Sequence, residues 1–156
     1  MRLTDVLMPD GVMEDLKARD KKELLRELCA EVSSKIEGVD KDKLLDAIIE
    51  RERLGTTGIG HGVALPHGKI KGVPEMRVFF GRSRKGVDFN SMDKQPVYLF
   101  FLIIAPENSA AAHLKMLAGI SHLLKNQDFR VSLMRASNSA EIYDIIAEAD
   151  KKNLAP

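Results

Sequence analysis

The chain has no tryptophan and a single cysteine, and aromatic residues make up 5% of its 156 positions. With one thiol, Cys29, no intrachain disulfide can form. Cys29 falls in the helically spaced apolar set Leu24, Leu25, Leu28, Cys29, Val32, which marks it as a buried packing thiol and fits a reducing compartment. An excess of charge is missing too: 24 Lys and Arg face 23 Asp and Glu, a formal net +1. That balance gives no electrostatic reason to expect nucleic acid or an anionic membrane as partner. Nor is there a long hydrophobic run. The longest, Val97 to Ala105, falls far short of the roughly 20 residues that span a bilayer. The opening MRLTDVLMPDG lacks the apolar stretch of a secretory signal. The expectation is cytoplasmic residence without membrane insertion.

What is present is an ordinary globular balance, 44% hydrophobic and 30% charged. A core of this size needs no disulfide or metal staple. No repeat, linker or composition break divides the chain, so residues 1–156 are expected to form one domain.

Two amphipathic helices come first. Asp20 stands as N-cap before KKELLRELCAEVSSKI, with Glu23 where a capping box places it, and Gly38 ends the element. Asp40 opens KDKLLDAIIERERL, with Leu44, Leu45, Ile48 and Ile49 facing inward and Gly55 closing it. The middle is glycine-rich, and VALPH reads as a short strand ending at Pro66. MRVFFGRS and VYLFFLIIAP read as strands, the second apolar enough to be central and covered on both faces. Between them KGVDFNSMDKQP is polar and turn-rich, and Arg82, Arg84 and Lys85 read as a solvated edge. The last third is helical: Ser109 caps AAAHLKMLAGISHLLKN, with Leu114, Leu117, Ile120, Leu123 and Leu124 as its apolar positions, and Ser139 caps AEIYDIIAEADKK. Met76, Met92, Met116 and Met134 read as core filler. The element order argues for one α/β domain around a small sheet.

Four histidines are the candidate chemistry: His61, His67, His113 and His122. Imidazole titrates near neutrality and serves as nucleophile, acid, base or metal ligand. His67 follows Pro66, precedes Gly68 and sits where a strand runs out, which suits a rigid, accessible nucleophile. Spacing alone does not separate this from a histidine in an ordinary turn. His122 carries no motif and reads as structural.

The stretch RERLGTTGIGHGVALPHGKI, Arg51 to Ile70, closely resembles the active-site signature of enzyme IIA domains of the bacterial phosphoenolpyruvate-dependent phosphotransferase system. The class is fructose–mannitol, which includes the nitrogen-related regulatory enzyme IIA. The resemblance continues through VDFNSMDKQPVYLFFLIIAP and AAHLKML and covers most of the chain. It implies a single-domain α/β sandwich, a mixed central β-sheet of four or five strands flanked by helices on both faces. It implies that His67 is phosphorylated on its distal nitrogen, with His113 and Arg51 lining the same site. Arg53 is one alignment slip away from Arg51. Position 61, often asparagine in relatives, is histidine here, so no fixed role carries over to His61.

These residue types suit in-line phosphoryl transfer, which needs positioning and charge stabilisation. Arg51 offers a fork of donors, and glycine-rich backbone around Thr56 to Gly62 could present N–H groups to the same anion. No metal or other cofactor is called for. The implied phosphoryl donor is a histidine-containing carrier of the HPr type. Onward partners divide into two branches: kinases or transporters regulated by nitrogen or potassium status, or an enzyme IIB for a fructose-type sugar. The absence of IIB and IIC sequence favours the regulatory branch. Two other classes fit the residues less well. A metallohydrolase on His61, His67 and His113 lacks a helical H-E-x-x-H site and a completing carboxylate. A binding module that has lost phosphorylation is opposed by the intact His67, Arg51 and His113.

Overall fold

A computed structural model describes residues 1–153, and residues 154–156 of the expected domain lie outside the described residues. The chain runs α1 (Leu3–Val6), a single 3-10 turn (Pro9–Gly11), β1 (Val12–Met13), α2 (Lys21–Lys35) and α3 (Lys41–Arg53). Four strands follow in short order: β2 (Gly58–Gly60), β3 (Val63–Ala64), β4 (His67–Lys69) and β5 (Arg77–Val87). Then come β6 (Val97–Ala105), α4 (Ala110–Leu123), α5 (Gln127–Arg135) and α6 (Ser139–Asn153). They build one mixed six-stranded sheet, ordered β1-β5-β6-β3-β2, with β4 also paired to β6.

Strand β6 organises the rest. It pairs antiparallel with β5, Phe80 opposite Phe101, and parallel with both β3 and β4 on its other side. Its side chains alternate between two cores, as a strand's must. Leu99, Phe101, Ile103 and Ala105 pack with α1, α4, α5 and α6. Phe100, Leu102 and Ile104 pack with α2 and α3. The expected two-sided burial of this segment is therefore observed, and Cys29 is fully buried in the second core. Burial pushes its thiol pKa up to about 12, so it stays protonated and inert.

Several local expectations are corrected. The capping roles of Asp20 and Asp40 hold: each accepts a backbone N–H from its own helix, Glu23 and Asp42 respectively. Ser109 does not cap α4, because its hydroxyl donates back to the Pro106 carbonyl at 2.7 Å. Asn138, not Ser139, caps α6, accepting from Glu141 N at 2.9 Å. In α4 the inward residues are His113, Met116 and Ile120, and Leu114 is 69% exposed. Met76 and Met116 do fill core, but Met92 is 71% exposed. The sheet has six strands where four or five were expected, since β4 resumes beyond Pro66 and β1 forms from the N-terminal segment. β5 also runs on into the segment read as polar turn, ending at buried Val87.

Arg82 is the sharpest correction. Read as part of a solvated edge, it is fully buried. Its Nε donates to the Glu14 carbonyl at 3.0 Å, and Nη1 donates to the carbonyls of Leu133 at 2.9 Å and Ala136 at 2.6 Å. Those last carbonyls close α5, where a helix leaves acceptors unsatisfied. One guanidinium thus ties β5, the strand-like N-terminal segment and the α5–α6 corner together. Arg84 and Lys85 are exposed as expected. Replacing Arg82 by methionine leaves the Leu133 and Ala136 carbonyls without their buried donor, removes the bond to the Glu14 carbonyl, and should cost about 3 kcal/mol in urea unfolding. Arg82→Lys should recover only part, because one ammonium cannot span both sets of acceptors. A wild-type midpoint for Arg82→Met would contradict this account.

Candidate functional site

Three chain segments converge at the carboxyl end of β6: the last turn of α3, the start of β4 and the first turn of α4. Proline at position 66 lacks the N–H that a continuous ladder would use, so β3 and β4 are separate strands on the same neighbour. The Pro66 carbonyl still accepts Ile103 N at 3.0 Å, and His67 then opens β4 opposite Ile103. Leu65, between the strands, turns its carbonyl to the His67 ring. His67 Nδ1 lies 2.8 Å from Leu65 O. A carbonyl only accepts, so Nδ1 carries the proton and Nε2 holds the free lone pair.

Glycine at 68 eases the packing of α3 on β4: a Cβ there would stand 3.1 Å from Ile48 Cδ1, closer than an ordinary contact. That approach brings Arg51 to the histidine. Arg51 Nε donates to His67 Nε2 at 3.1 Å, and Arg51 Nη1 donates to Gly55 O at 2.9 Å. Arg53, the alternative, is exposed and paired with Glu50 at 3.0 Å. The third member arrives on α4. The His113 ring stands edge-on to His67, with centroids 5.3 Å apart and planes at 88°. His113 is 4% exposed, and its Nε2 is buried with no hydrogen-bond partner among the described residues.

Both imidazoles are held neutral. Burial lowers the His67 pKa below 6.5; the Leu65 bond opposes it, the Arg51 guanidinium adds to it, and the Glu52 charge opposes it again. For His113 burial comes first, with smaller contributions from His67 and Lys69, and the pKa is pushed down to about 4. The pair lines a depression of about 600 Å³ whose wall includes Arg51, Lys69 and the leucines Leu54, Leu114 and Leu117. Leu54 and Leu114 are 82% and 69% exposed.

His67, Arg51 and His113 thus meet. His61 does not join them. It and Gly62 have φ of 57° and 77°, the pattern of a type I′ turn between β2 and β3. Val63 pairs with Leu99 and His67 with Ile103, which puts the turn about 13 Å further along β6 by strand rise. An asparagine in relatives at this position fits the same turn. The three-histidine cluster of a metallohydrolase does not assemble, and no group of three or more His, Cys, Asp or Glu is placed to hold a metal among the described residues. His122 is exposed and lines a separate depression between α4 and α6.

Three N–H groups of the glycine-rich loop are engaged within the protein: Thr57 N donates to the Glu52 carboxylate, Gly58 N to Thr56 Oγ1, and His61 N to the Asp93 carboxylate. These three are not free to face an anion, so the expected nest lacks them. Glu52, Thr57 and the Leu65 carbonyl were not among the candidates. Glu52 did leave a signal: it continues the buried i, i+4 stripe Leu44, Ile48, Glu52, where an apolar residue is expected.

A family model described as "Phosphoenolpyruvate-dependent sugar phosphotransferase system, EIIA 2" matches residues 5–149. The chain belongs to the EIIA 2 family. A "Nitrogen regulatory protein" of Bradyrhizobium diazoefficiens is 40% identical over 147 residues, 94% of this chain and 95% of that protein. The "PTS system fructose-specific EIIABC component" of Bacillus subtilis is 34% identical over 151 residues. Those residues are 97% of this chain but 24% of that protein. Among solved structures, the nitrogen regulatory protein IIA-Ntr from Neisseria meningitidis superposes with a TM-score of 0.86 at 30% identity, over 92% of this chain and 98% of that one. The mixed sheet with helices on both faces is thus the fold of this EIIA relative.

Stability should carry the signature of the neutral His113. Its folded pKa of about 4 lies below the ordinary 6.5. The contribution is therefore fully present above pH 6.5 and is lost as pH falls toward 4. Urea unfolding from pH 7.5 to 4 should show a stability gap between wild type and His113→Gln that shifts by a few kcal/mol against the wild type, on the order set by a shift of this size. A gap constant with pH would show that His113 titrates normally.

Proposed function

We propose that the chain is a phosphocarrier that takes a phosphoryl group onto Nε2 of His67. The observation that carries this reading is the fixed tautomer: Nδ1–H is engaged by Leu65 O, and the Nε2 lone pair faces Arg51 at the depression. In-line attack forms the Nε2–P bond as the donor's N–P bond breaks. No proton has to leave, because Nδ1–H stays on the Leu65 carbonyl and the product is a phosphorylated imidazolium. Arg51 Nε loses its acceptor at that moment and turns to the phosphoryl oxygens, where a planar fork is at its strongest. His113 Nε2, unpartnered before transfer, donates a further hydrogen bond. Since His113 is neutral near pH 7, it adds this bond without a further positive charge.

The donor is a histidine-bearing carrier of the HPr type, encountered in the cytoplasm. Exposed Leu54 and Leu114 flank the histidines and give such a partner an apolar seat of the small, transient kind. Regulation is the favoured downstream role, in nitrogen or potassium signalling to kinases or transporters. Supporting this, the match to a nitrogen regulatory protein runs nearly end to end in both chains. The second reading, phosphoryl hand-off to a fructose-type IIB, is supported by the fructose-specific relative.

Incubation with phosphoenolpyruvate, enzyme I and HPr should label the wild type and leave His67→Ala unlabelled. Arg51→Ala should accept the group about 10²-fold more slowly, the scale for losing one preorganised donor. Label persisting in His67→Ala would overturn the site. Transfer from the labelled chain to a fructose-type IIB would favour transport over regulation.

A further inference from the structure

We propose that Glu52, acting through Thr57, is a positioning residue that sets the His67 tautomer and so the nucleophile. The inference rests on His67 being the phosphoryl acceptor.

Glu52 is 9% exposed, on the core stripe of α3. A buried ion pair is weak grounds for stability, since apolar replacements are often neutral or better. Something else has to account for the bonds this carboxylate makes. Lys21 Nζ, from the first turn of α2, reaches Glu52 Oε2 at 2.7 Å. That ammonium also lies 4.6 Å from the centroid of the Phe89 ring, so its position is fixed independently. Held from one side, Glu52 grips Thr57 from the other. The Thr57 backbone N–H donates to both carboxylate oxygens, at 3.3 and 3.2 Å, and the Thr57 hydroxyl donates to Oε1.

Thr57 then passes this order on. Its carbonyl accepts Leu65 N at 3.0 Å. Leu65 is therefore pinned at both ends: its N–H by Thr57, and its carbonyl by the Nδ1–H of His67 at 2.8 Å. Pro66 restricts the backbone between that carbonyl and the histidine. The line from Lys21 to His67 Nδ1 has no link left to solvent contacts alone. Charge supports the same assignment, since Glu52 opposes the Arg51 guanidinium in setting the basicity of the ring. The charges acting on the ring are those of Arg51 and Glu52, both from α3, and the His113 ring stands edge-on to it from α4. If Leu65 O shifts, Nδ1 loses its acceptor, the Arg51 Nε–H is left as the one bond favouring a lone pair at Nε2, and a population with the proton on Nε2 appears. An Nε2–H imidazole has no lone pair there to attack phosphorus.

The test compares full-length Glu52→Gln, Thr57→Val and Thr57→Ser with wild type. Two quantities are read: the rate of labelling by phosphoenolpyruvate, enzyme I and HPr, and the ¹⁵N shifts of the His67 ring nitrogens. Glu52→Gln and Thr57→Val should accept phosphoryl at least about tenfold more slowly, the scale of small misplacements at a reacting centre. Their His67 spectra should show mixed tautomers where wild type shows Nδ1–H alone. Thr57→Ser, which keeps the hydroxyl, should restore both. Wild-type labelling with a pure Nδ1–H tautomer in a folded Thr57→Val would overturn the inference, and that nearly isosteric variant decides alone if Glu52→Gln does not fold. Labelling of His67→Ala would instead refute the site on which the inference rests.

Discussion

Strand β6 has no wet face, and the chain meets that condition by laying helices over both. Nine consecutive residues that are almost all apolar can sit only in the middle of a sheet. Pairing partners must then come to both of its edges, and β5 on one side with β3 and β4 on the other supply them. The site is a by-product of that arrangement. β4 runs parallel to β6 and ends level with it, and α4 leaves from just beyond the same end. His67 and His113 meet because two segments leave one strand end together, the position where open sheets characteristically expose reactive groups.

The legibility of the sequence divides by the type of signal. Outside α4, periodic signals held. The spacing of Leu24, Leu28 and Val32, the stripe Leu44 and Ile48, and the unbroken run of β6 all predicted burial that the structure contains. Point signals failed where a single polar group had a private partner. Arg82 looks like its exposed neighbours Arg84 and Lys85 in sequence, and only the carbonyls of a helix some 50 residues later explain its burial. Ser109 and Ser139 are good caps by type, but Pro106 O takes one and Asn138 pre-empts the other. His61 was ambiguous as chemistry and becomes plain as geometry: two consecutive positive φ values make it a turn residue.

The histidine pair was reachable through motif and resemblance, but its electrostatics was not. Nothing in the order of residues indicates that one buried imidazole would leave a nitrogen unsatisfied, or that a carbonyl two residues before His67 would select its tautomer. The glycine-rich run misled in a related way. Its N–H groups suggested an anion cradle, whereas they serve to fasten the loop to Glu52, Thr56 and Asp93. Fastened in this way, the loop holds a neighbouring backbone carbonyl in place, and the positive charge around the depression comes from the side chains of Arg51 and Lys69.

That placed carbonyl has a thermodynamic consequence. On the proposed site, Nδ1 would keep its proton against Leu65 O, so a phosphorylated ring would be cationic and would give up the phosphoryl group readily. Transfer from a phosphohistidine donor would exchange one N–P bond for another of the same type, so it would run near equilibrium in both directions. Occupancy of such a histidine would follow the current ratio of charged to uncharged donor and keep no memory of earlier ratios. On that reading the protein would behave as a gauge and not as a latch.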